Sequence, residues 1–433
     1  MRPNRNKLPL QANGTQSHRL ACVKRLSLNI EMKKLHNILL AVLIASAGAV
    51  VGQEKTQQER IDALEQQLLE LQEQCDKPDF LNQAAAKGLT FNFYGSMKWK
   101  SSGGGSSKDM TFDPHRWVLI PSYKLSDNAL FMTELELEHG GTDSDGDSGS
   151  RFDGYLELEQ MYIDLQLTDN ITWRAPGVSL IPVGTINENH EPDQFYSAYR
   201  PRVYKYIVPT TWMEFSTGLY GDVPSVDGLS YNVLVSSGLS SAHHSEAKDG
   251  ADKWSMRSTR PGVNVKGVQD LAYTLRLGYD KGGFSGSVST YQSTYTNQTS
   301  EESSMDLYVG SASYNFTEGS LKGLELIGDY MWWDIGNPAN VTDSDETDIT
   351  YDELKGWRLE VAYHIPRGDN ELVPFVRLEE YDGGGTANAS KEYLTFGAMY
   401  KFGDNWEIKL SYLDERTSGA TGNEIQLAVG LQF

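Results

Sequence analysis

The stretch Ile425-Gln426-Leu427-Ala428-Val429-Gly430-Leu431-Gln432-Phe433 decides the fold of this chain. In an extended strand successive side chains point to opposite faces. Ile425, Leu427, Val429, Leu431 and Phe433 therefore share one face, and Gln426, Ala428, Gly430 and Gln432 share the other. One face is wholly apolar and the other is small or polar, so the strand is built to separate an oily medium from a wet one.

The same period of two begins at Leu89, where Leu89, Phe91, Phe93, Met97 and Trp99 oppose Thr90, Asn92, Tyr94, Ser96, Lys98 and Lys100. Strand starts read near residues 89, 114, 129, 153, 171, 212, 229, 269, 284, 305, 323, 355, 372, 391, 405 and 424, sixteen in all. Asp127-Asn128, Asp169-Asn170, Asp369-Asn370 and Asp404-Asn405 each join two alternating segments. Asp and Asn suit tight turns because both tolerate left-handed backbone. The remaining connections are longer, acidic and rich in Gly and Ser, such as 101–108, 143–150 and 334–352. Short turns at one end, long loops at the other and an even strand count describe a closed antiparallel transmembrane β-barrel wide enough for an aqueous channel. Trp99, Trp117, Trp173, Trp332, Trp333, Phe402 and Trp406 fall near strand ends, as in the aromatic girdles of such barrels. A soluble sandwich or propeller would instead bury its apolar face among short core strands.

Ahead of the strands, Lys33 and Lys34 precede an apolar run from Ile38 to Val51 that closes on small residues around Ala47, Ala49 and Gly52. A spanning helix needs about 20 apolar residues, so residues 1–52 read as a leader with a cleaved secretory signal. Met32 is the expected initiator. Removing this leader takes away eight Lys/Arg and one acid and leaves 30 basic against 58 acidic residues, a net charge of −28. Such a chain repels phosphate and is excluded as a nucleic-acid binder. Cys22 and Cys75 give no disulfide framework. Ile61, Leu64, Leu68, Leu71 and Cys75 recur at coiled-coil spacing, so residues 53–77 predict a short periplasmic helix that joins identical subunits or packs on the barrel base. Residues 78–88 are a linker, and 89–433 form the barrel.

Two stretches carry a resemblance. The strand from Ile425 to Phe433 resembles the last strand of bacterial outer-membrane barrels, in which the terminal aromatic, here Phe433, is the signal read by the barrel-assembly machinery. Pro182-Val-Gly184, Asn187-Glu188-Asn189-His190-Glu191-Pro192, Phe195-Tyr196, Arg200-Pro201-Arg202 and Pro209-Thr-Thr-Trp212, with Glu157-Leu-Glu159-Gln-Met-Tyr162 before them, resemble the phosphate-selective porin O and P family. The resemblance implies the outer membrane of a Gram-negative bacterium, contact with the lipid bilayer and lipopolysaccharide, and a homotrimer. It also implies that residues 185–211 fold into the barrel as a constriction loop.

On that expectation Asn187, Glu188, His190 and Glu191 face water in the pore, opposed by Arg200, Arg202 and Lys205, and the opposed charges set a transverse field. Equally, the same charges pin the loop to the wall. His190 beside Glu188 and Glu191 lacks the spacing of a metal motif, and no metal or cofactor is expected. A second patch lies on the lumen wall: Lys98, Arg116, Glu134, Glu136, Glu138, Glu157, Glu159, Asp164 and Arg174. A turn at Asp127 sets Arg116 opposite Glu138. Pairing the next strands by their apolar faces sets Glu136 and Glu138 opposite Glu159 and Glu157, with Arg174 near Asp164. Either an acidic wall favours cations, or an ion-paired network stiffens the barrel. The basic ladder that phosphate selectivity would need is sparse, with only Lys98, Lys100, Arg116, Lys124, Arg200 and Arg202 among more numerous acids.

Gly146-Asp-Ser148-Gly-Ser150 has no assignable His partner for nucleophilic catalysis, and the run Asp143, Asp145, Asp147 has Ser148 where a calcium loop needs Gly. An enzyme is therefore not expected. The reading is passive diffusion of small hydrophilic solutes or ions through a water-filled barrel. The alternative is a structural barrel that tethers the envelope through its N-terminal helix.

Overall fold

A computed structural model of the chain describes residues 85, 87–103, 109–141, 154–239, 256–261, 270–296, 300–341, 352–382, 390–417 and 422–433. The leader, the expected coiled coil and most of the linker lie outside the described residues. Among the described residues seventeen strands follow one another, the first nine being β1 Leu89–Gly103, β2 Asp109–Ser126, β3 Ala129–Glu138, β4 Leu156–Thr168, β5 Ile171–Leu180, β6 Met213–Asp222, β7 Leu229–Ser237, β8 Leu271–Lys281 and β9 Phe284–Thr296. The second half comprises β10 Glu302–Asn315, β11 Leu324–Ile335, β12 Glu353–Tyr363, β13 Ile365–Arg367, β14 Asn370–Asp382, β15 Lys391–Phe402, β16 Trp406–Glu415 and β17 Asn423–Gln432. The short β13 continues β12 past His364, and both pair with β14. The wall thus has sixteen positions, each antiparallel to the next.

The sheet closes where β17 pairs with β1 from Tyr94↔Gln432 to Gly103↔Asn423. Phe433 completes the ladder: its N–H donates to the Phe93 carbonyl at 2.9 Å and its carbonyl accepts from the Phe93 N–H at 2.7 Å. Its ring packs on that of Phe93 at 4.9 Å. Closure leaves no unpaired sheet edge, a requirement for any sheet surrounded by lipid. Among the described residues no helix is long and apolar enough to cross a membrane.

Side-chain alternation follows the sequence along most of the wall. Leu359, Val361, Val376, Leu378, Leu410, Ile425 and Leu427 are exposed on the outside. Arg358, Glu360, Arg377, Glu379, Lys409 and Gln426 alternate with them and are buried inside. The sixteen expected strand starts agree with the observed ones within a few residues, and the four Asp-Asn turns all lie at the short-turn end.

One sector departs from the pattern. On β9 to β12 the inward positions include Tyr291, Tyr295, Met305, Leu307, Val309, Met331, Trp333, Ile335 and Leu354, all buried in an apolar cluster inside the barrel. Trp333, expected in an outer girdle, belongs here. Consecutive strand residues cannot share a face, and Trp332 takes the outward position with 36 % of its surface exposed.

The outward face yields a first expectation. Leu410 lies mid-strand and 55 % exposed, so Leu410→Arg in a barrel folded into phosphocholine vesicles should lose about 2–4 kcal/mol of stability by urea titration. An unchanged midpoint would mean that this face meets water.

Candidate functional site

The apolar sector inside the barrel is covered by the connection between β5 and β6, residues 181–212. This segment leaves and rejoins the wall through a pinched neck. The Ile181 N–H donates to the Trp212 carbonyl at 3.0 Å. The Asn187 amide donates to the Ile181 and Trp212 carbonyls at 2.8 and 2.9 Å, and its oxygen accepts from the Trp212 N–H at 2.8 Å. A polar side chain with no exposed surface must find such partners, and Asn187 finds all of them in the neck.

Beyond the neck, a helical turn Val203–Tyr206 carries Val203, Tyr204 and Ile207 onto the wall. Trp212 lies 4.5 Å from the Tyr291 ring and 6.2 Å from Trp333, and the Trp333 indole donates to the Ile207 carbonyl at 2.8 Å. Tyr204 donates its hydroxyl to Asp329 at 2.8 Å and accepts from the Thr185 N–H at 2.9 Å. Gly356 of β12 has no side chain because Val203 and Ile207 already lie 3.1 Å from where its Cβ would stand.

The rest of the segment is held by polar contacts with the wall. Lys409 of β16 donates to the carbonyls of Pro192 and Phe195. Arg377 of β14 donates to the Ser197 hydroxyl at 2.7 Å while bonding Glu379 of its own strand at 2.7 Å. Tyr196 donates to Glu325 of β11, and Arg202 reaches Glu424 of β17 at 3.2 Å. Lys98 of β1 lies 4.5 Å from the centre of the Tyr199 ring. Arg276 of β8 meets Glu188 at 2.7 Å. The segment is thus tied to β1, β8, β11, β14, β16 and β17, on opposite sides of the barrel.

His190 docks the segment on the charged side. It lies 3.0 Å from the Tyr94 hydroxyl, 3.4 Å from Glu159 and 3.0 Å from the Asn187 carbonyl. Around it Tyr94 donates to Glu134 at 2.9 Å, Gln160 donates to Glu134 at 2.5 Å and Arg116 meets Glu136 at 3.1 Å. Burial, with the charges of Arg200 and Arg116, lowers the pKa of His190 and favours the neutral ring. Desolvation and the nearby charge of Arg116 push the pKa of the partly buried Arg200 down to about 10, and Arg200 donates to the Thr211 hydroxyl at 2.9 Å.

Several expected placements change. Asn187 and His190 do not face water: Asn187 staples the neck and His190 is 3 % exposed. Glu188 is opposed by Arg276 and not by Arg200 or Arg202, because the neck turns it toward β8. Glu191 is partly buried, and Lys205 is exposed with its amine 5.5 Å from the Tyr206 ring centre. On the wall, Arg116 pairs with Glu138 and Asp164 pairs with Arg174, whose guanidinium bonds both carboxylate oxygens at 2.9 and 3.0 Å. Glu136, however, lies opposite Glu157 and not Glu159. A register shift between Glu134 and Leu135 displaces the β3–β4 ladder. The bulge leaves its trace in β4, where the outward apolar residues step from Leu156 and Leu158 to Met161 and Ile163, so Glu159 and Gln160 both turn inward. The inward residues Arg276, Asp329, Arg358, Glu360, Arg377, Glu379 and Lys409 were not singled out from the sequence. Their signal was available as charge alternating with Leu in Arg358-Leu359-Glu360 and Arg377-Leu378-Glu379.

No known family model matches the chain. An uncharacterized protein of Aquifex aeolicus is 26 % identical over 377 residues, 79 % of each chain. The fold is that of outer-membrane porins. OmpF of Salmonella typhi superposes with a TM-score of 0.52 at 12 % identity, over 80 % of this chain and 99 % of its own. The anion-selective porin of Comamonas acidovorans gives 0.51 at 13 %, over 80 % and 99 %. The outer-membrane channel DcaP of Acinetobacter baumannii gives 0.51 at 12 %, over 80 % and 98 %.

Two outcomes are expected of the docked segment. Asn187→Ala strands three buried backbone partners and should weaken its attachment by about 1–3 kcal/mol, seen as faster hydrogen exchange of residues 181–212 with the strands unchanged. His190 has a docked pKa below its free value, so it contributes stability in full above about pH 6.5 that is lost as the pH falls through the lowered value. Protection of the segment should therefore fall more steeply on acidification in the wild type than in His190→Gln. Parallel profiles would remove His190 from the docking equilibrium.

Proposed function

We propose that the chain is an outer-membrane porin, a water-filled barrel through which small hydrophilic solutes or ions diffuse passively, with residues 185–211 as its constriction. The observation that carries this reading is the segment 181–212 inside the barrel, tied to opposite walls and leaving one side of the lumen lined by charge. Such an arrangement narrows a wide barrel without sealing it, and passage then needs only a polar path and a size limit. The outward apolar face, the ladder-completing Phe433 and the porin fold support a bilayer setting in the outer membrane of a Gram-negative bacterium, with insertion by the barrel-assembly machinery and contact with lipopolysaccharide. A homotrimer belongs to the same proposal.

The lumenal charges support broad passage in place of phosphate specificity. Arg358 is matched by Asp329 at 2.5 Å, Arg377 by Glu379 at 2.7 Å, Arg174 by Asp164 at 2.9 Å and Arg276 by Glu188 at 2.7 Å. Bases neutralised in this way offer a dianion little unmatched charge. Glu134, Glu136 and Glu159 outnumber Arg116 on β2 to β4; nearly buried behind the segment, they act on the path through their field, which biases it toward cations.

Planar-bilayer recording tests the proposal. Refolded protein should give stepwise conductance, in triplets for a trimer, with a cation-favouring reversal potential across a potassium chloride gradient. Glu136→Gln with Glu159→Gln should move that potential toward anions. A silent bilayer with verified folded protein would overturn the porin reading.

A further inference from the structure

We propose that Asp113, His115 and His139 form a binding site for one first-row divalent transition-metal ion such as Zn2+, at the long-loop end of β2 and β3. One donor atom from each of the three residues lies within 4.8 Å of the others. The Asp113 carboxylate already gathers both rings: its two oxygens lie 3.3 Å from His115 Nδ1 and 2.8 Å from His139 Nδ1. In tetrahedral zinc sites with bonds of about 2.0–2.1 Å, neighbouring donors stand about 3.3 Å apart. The His115 separation already has that length; the His139 one, made to the other carboxylate oxygen, is a hydrogen-bond length that opens as an ion enters.

The backbone builds the cluster by two departures from regular strand geometry. Between Ser96↔Arg116 and Lys98↔Asp113 the β1–β2 register shifts, so Pro114 and His115 together face Met97. Pro114 takes the outward position and His115 turns inward beside Asp113. His139 follows the last residue of β3 with φ of 48°, in the left-handed region that side chains other than Gly rarely adopt. Its N–H donates to the His115 carbonyl at 3.1 Å, which holds the two imidazoles 5.5 Å apart. A bulge and a left-handed histidine that converge on one carboxylate are costly devices for a mere surface hydrogen bond.

The surroundings suit a bound ion. Asp113 and His115 are 15 % and 17 % exposed and His139 is 39 % exposed, so the donors are sheltered yet open on one side. Glu138 lies 3.9 Å from His139 Nε2, the ring nitrogen turned away from Asp113, where a carboxylate orients a ligating imidazole. Lys98 and Arg116 offset the two acids in charge, so retention of the ion depends on coordination by imidazole. Imidazole donors select Zn2+, Ni2+ or Cu2+ over the oxygen-seeking Ca2+ and Mg2+.

The site is independent of the pore reading, because binding is measured without current. Chelator-stripped, folded full-length barrel in detergent is titrated with Zn2+ by calorimetry, with Ca2+ in excess as competitor. One Zn2+ per chain is expected, undisplaced by Ca2+, with affinity lowered more than about tenfold in His139→Ala and in Asp113→Asn. Heat-modifiable gel migration verifies that each variant is folded. Absence of Zn2+ binding, or equal binding in both variants, would overturn the proposal. So would loss of binding in Asp143→Asn/Asp145→Asn/Asp147→Asn with retention in His139→Ala, which would assign the ion to the acidic connection.

Discussion

The ladder between β1 and β17 is the interaction on which the rest of the structure depends. Every strand of the wall is paired on both sides only because Tyr94 to Gly103 meet Asn423 to Gln432. An open sheet of this length would expose two rows of unpaired N–H and C=O groups, which lipid cannot satisfy. Closure also creates an inside. Only then do Lys98, Arg377 and Lys409 point into an enclosed lumen instead of lying on the flat face of a sheet.

That interior is divided. Tyr291, Met305, Leu307, Met331 and Trp333 make one sector oily, and the segment 181–212 covers it with Val203, Tyr204, Ile207 and Trp212. On the remaining wall the segment is held by directed bonds: Lys409 to two carbonyls, Arg377 to Ser197, His190 among Tyr94 and Glu159. Apolar burial provides attachment, and the polar bonds determine where the segment lies. The charges that remain to line a path are those which the segment leaves unpaired or exposed, so its docking and the character of the lumen are a single physical problem.

Much of the wall was legible beforehand. Alternation such as Ile425, Leu427, Val429, Leu431 is a local signal with a period of two, and Asp-Asn pairs mark the turns by their own backbone preferences. Arg116 opposite Glu138 and Arg174 opposite Asp164 follow from counting outward from a turn. Glu136 and Glu159 did not follow, because matching the apolar faces of β3 and β4 does not count the extra residue of the bulge at Glu159-Gln160. The burial of Asn187 was hidden for another reason. Its partners Ile181 and Trp212 lie 6 and 25 residues away, and nothing in an Asn-Glu-Asn-His run reveals that the chain doubles back there.

The amino-acid sequence by itself determined the strand count, the outward and inward faces, the short-turn end and the segment that differs from the other connections. Each depends on neighbours in sequence, through alternation and turn chemistry. Tertiary structure alone decided which charges meet. Arg276 with Glu188, Tyr204 with Asp329, and His115 with Asp113 and His139 require closure, docking and a bulge to coincide. Those events are set by packing between segments far apart in the chain. The wall was therefore readable from local pattern, whereas the chemistry of its lumen emerged only when the folded chain brought distant residues together.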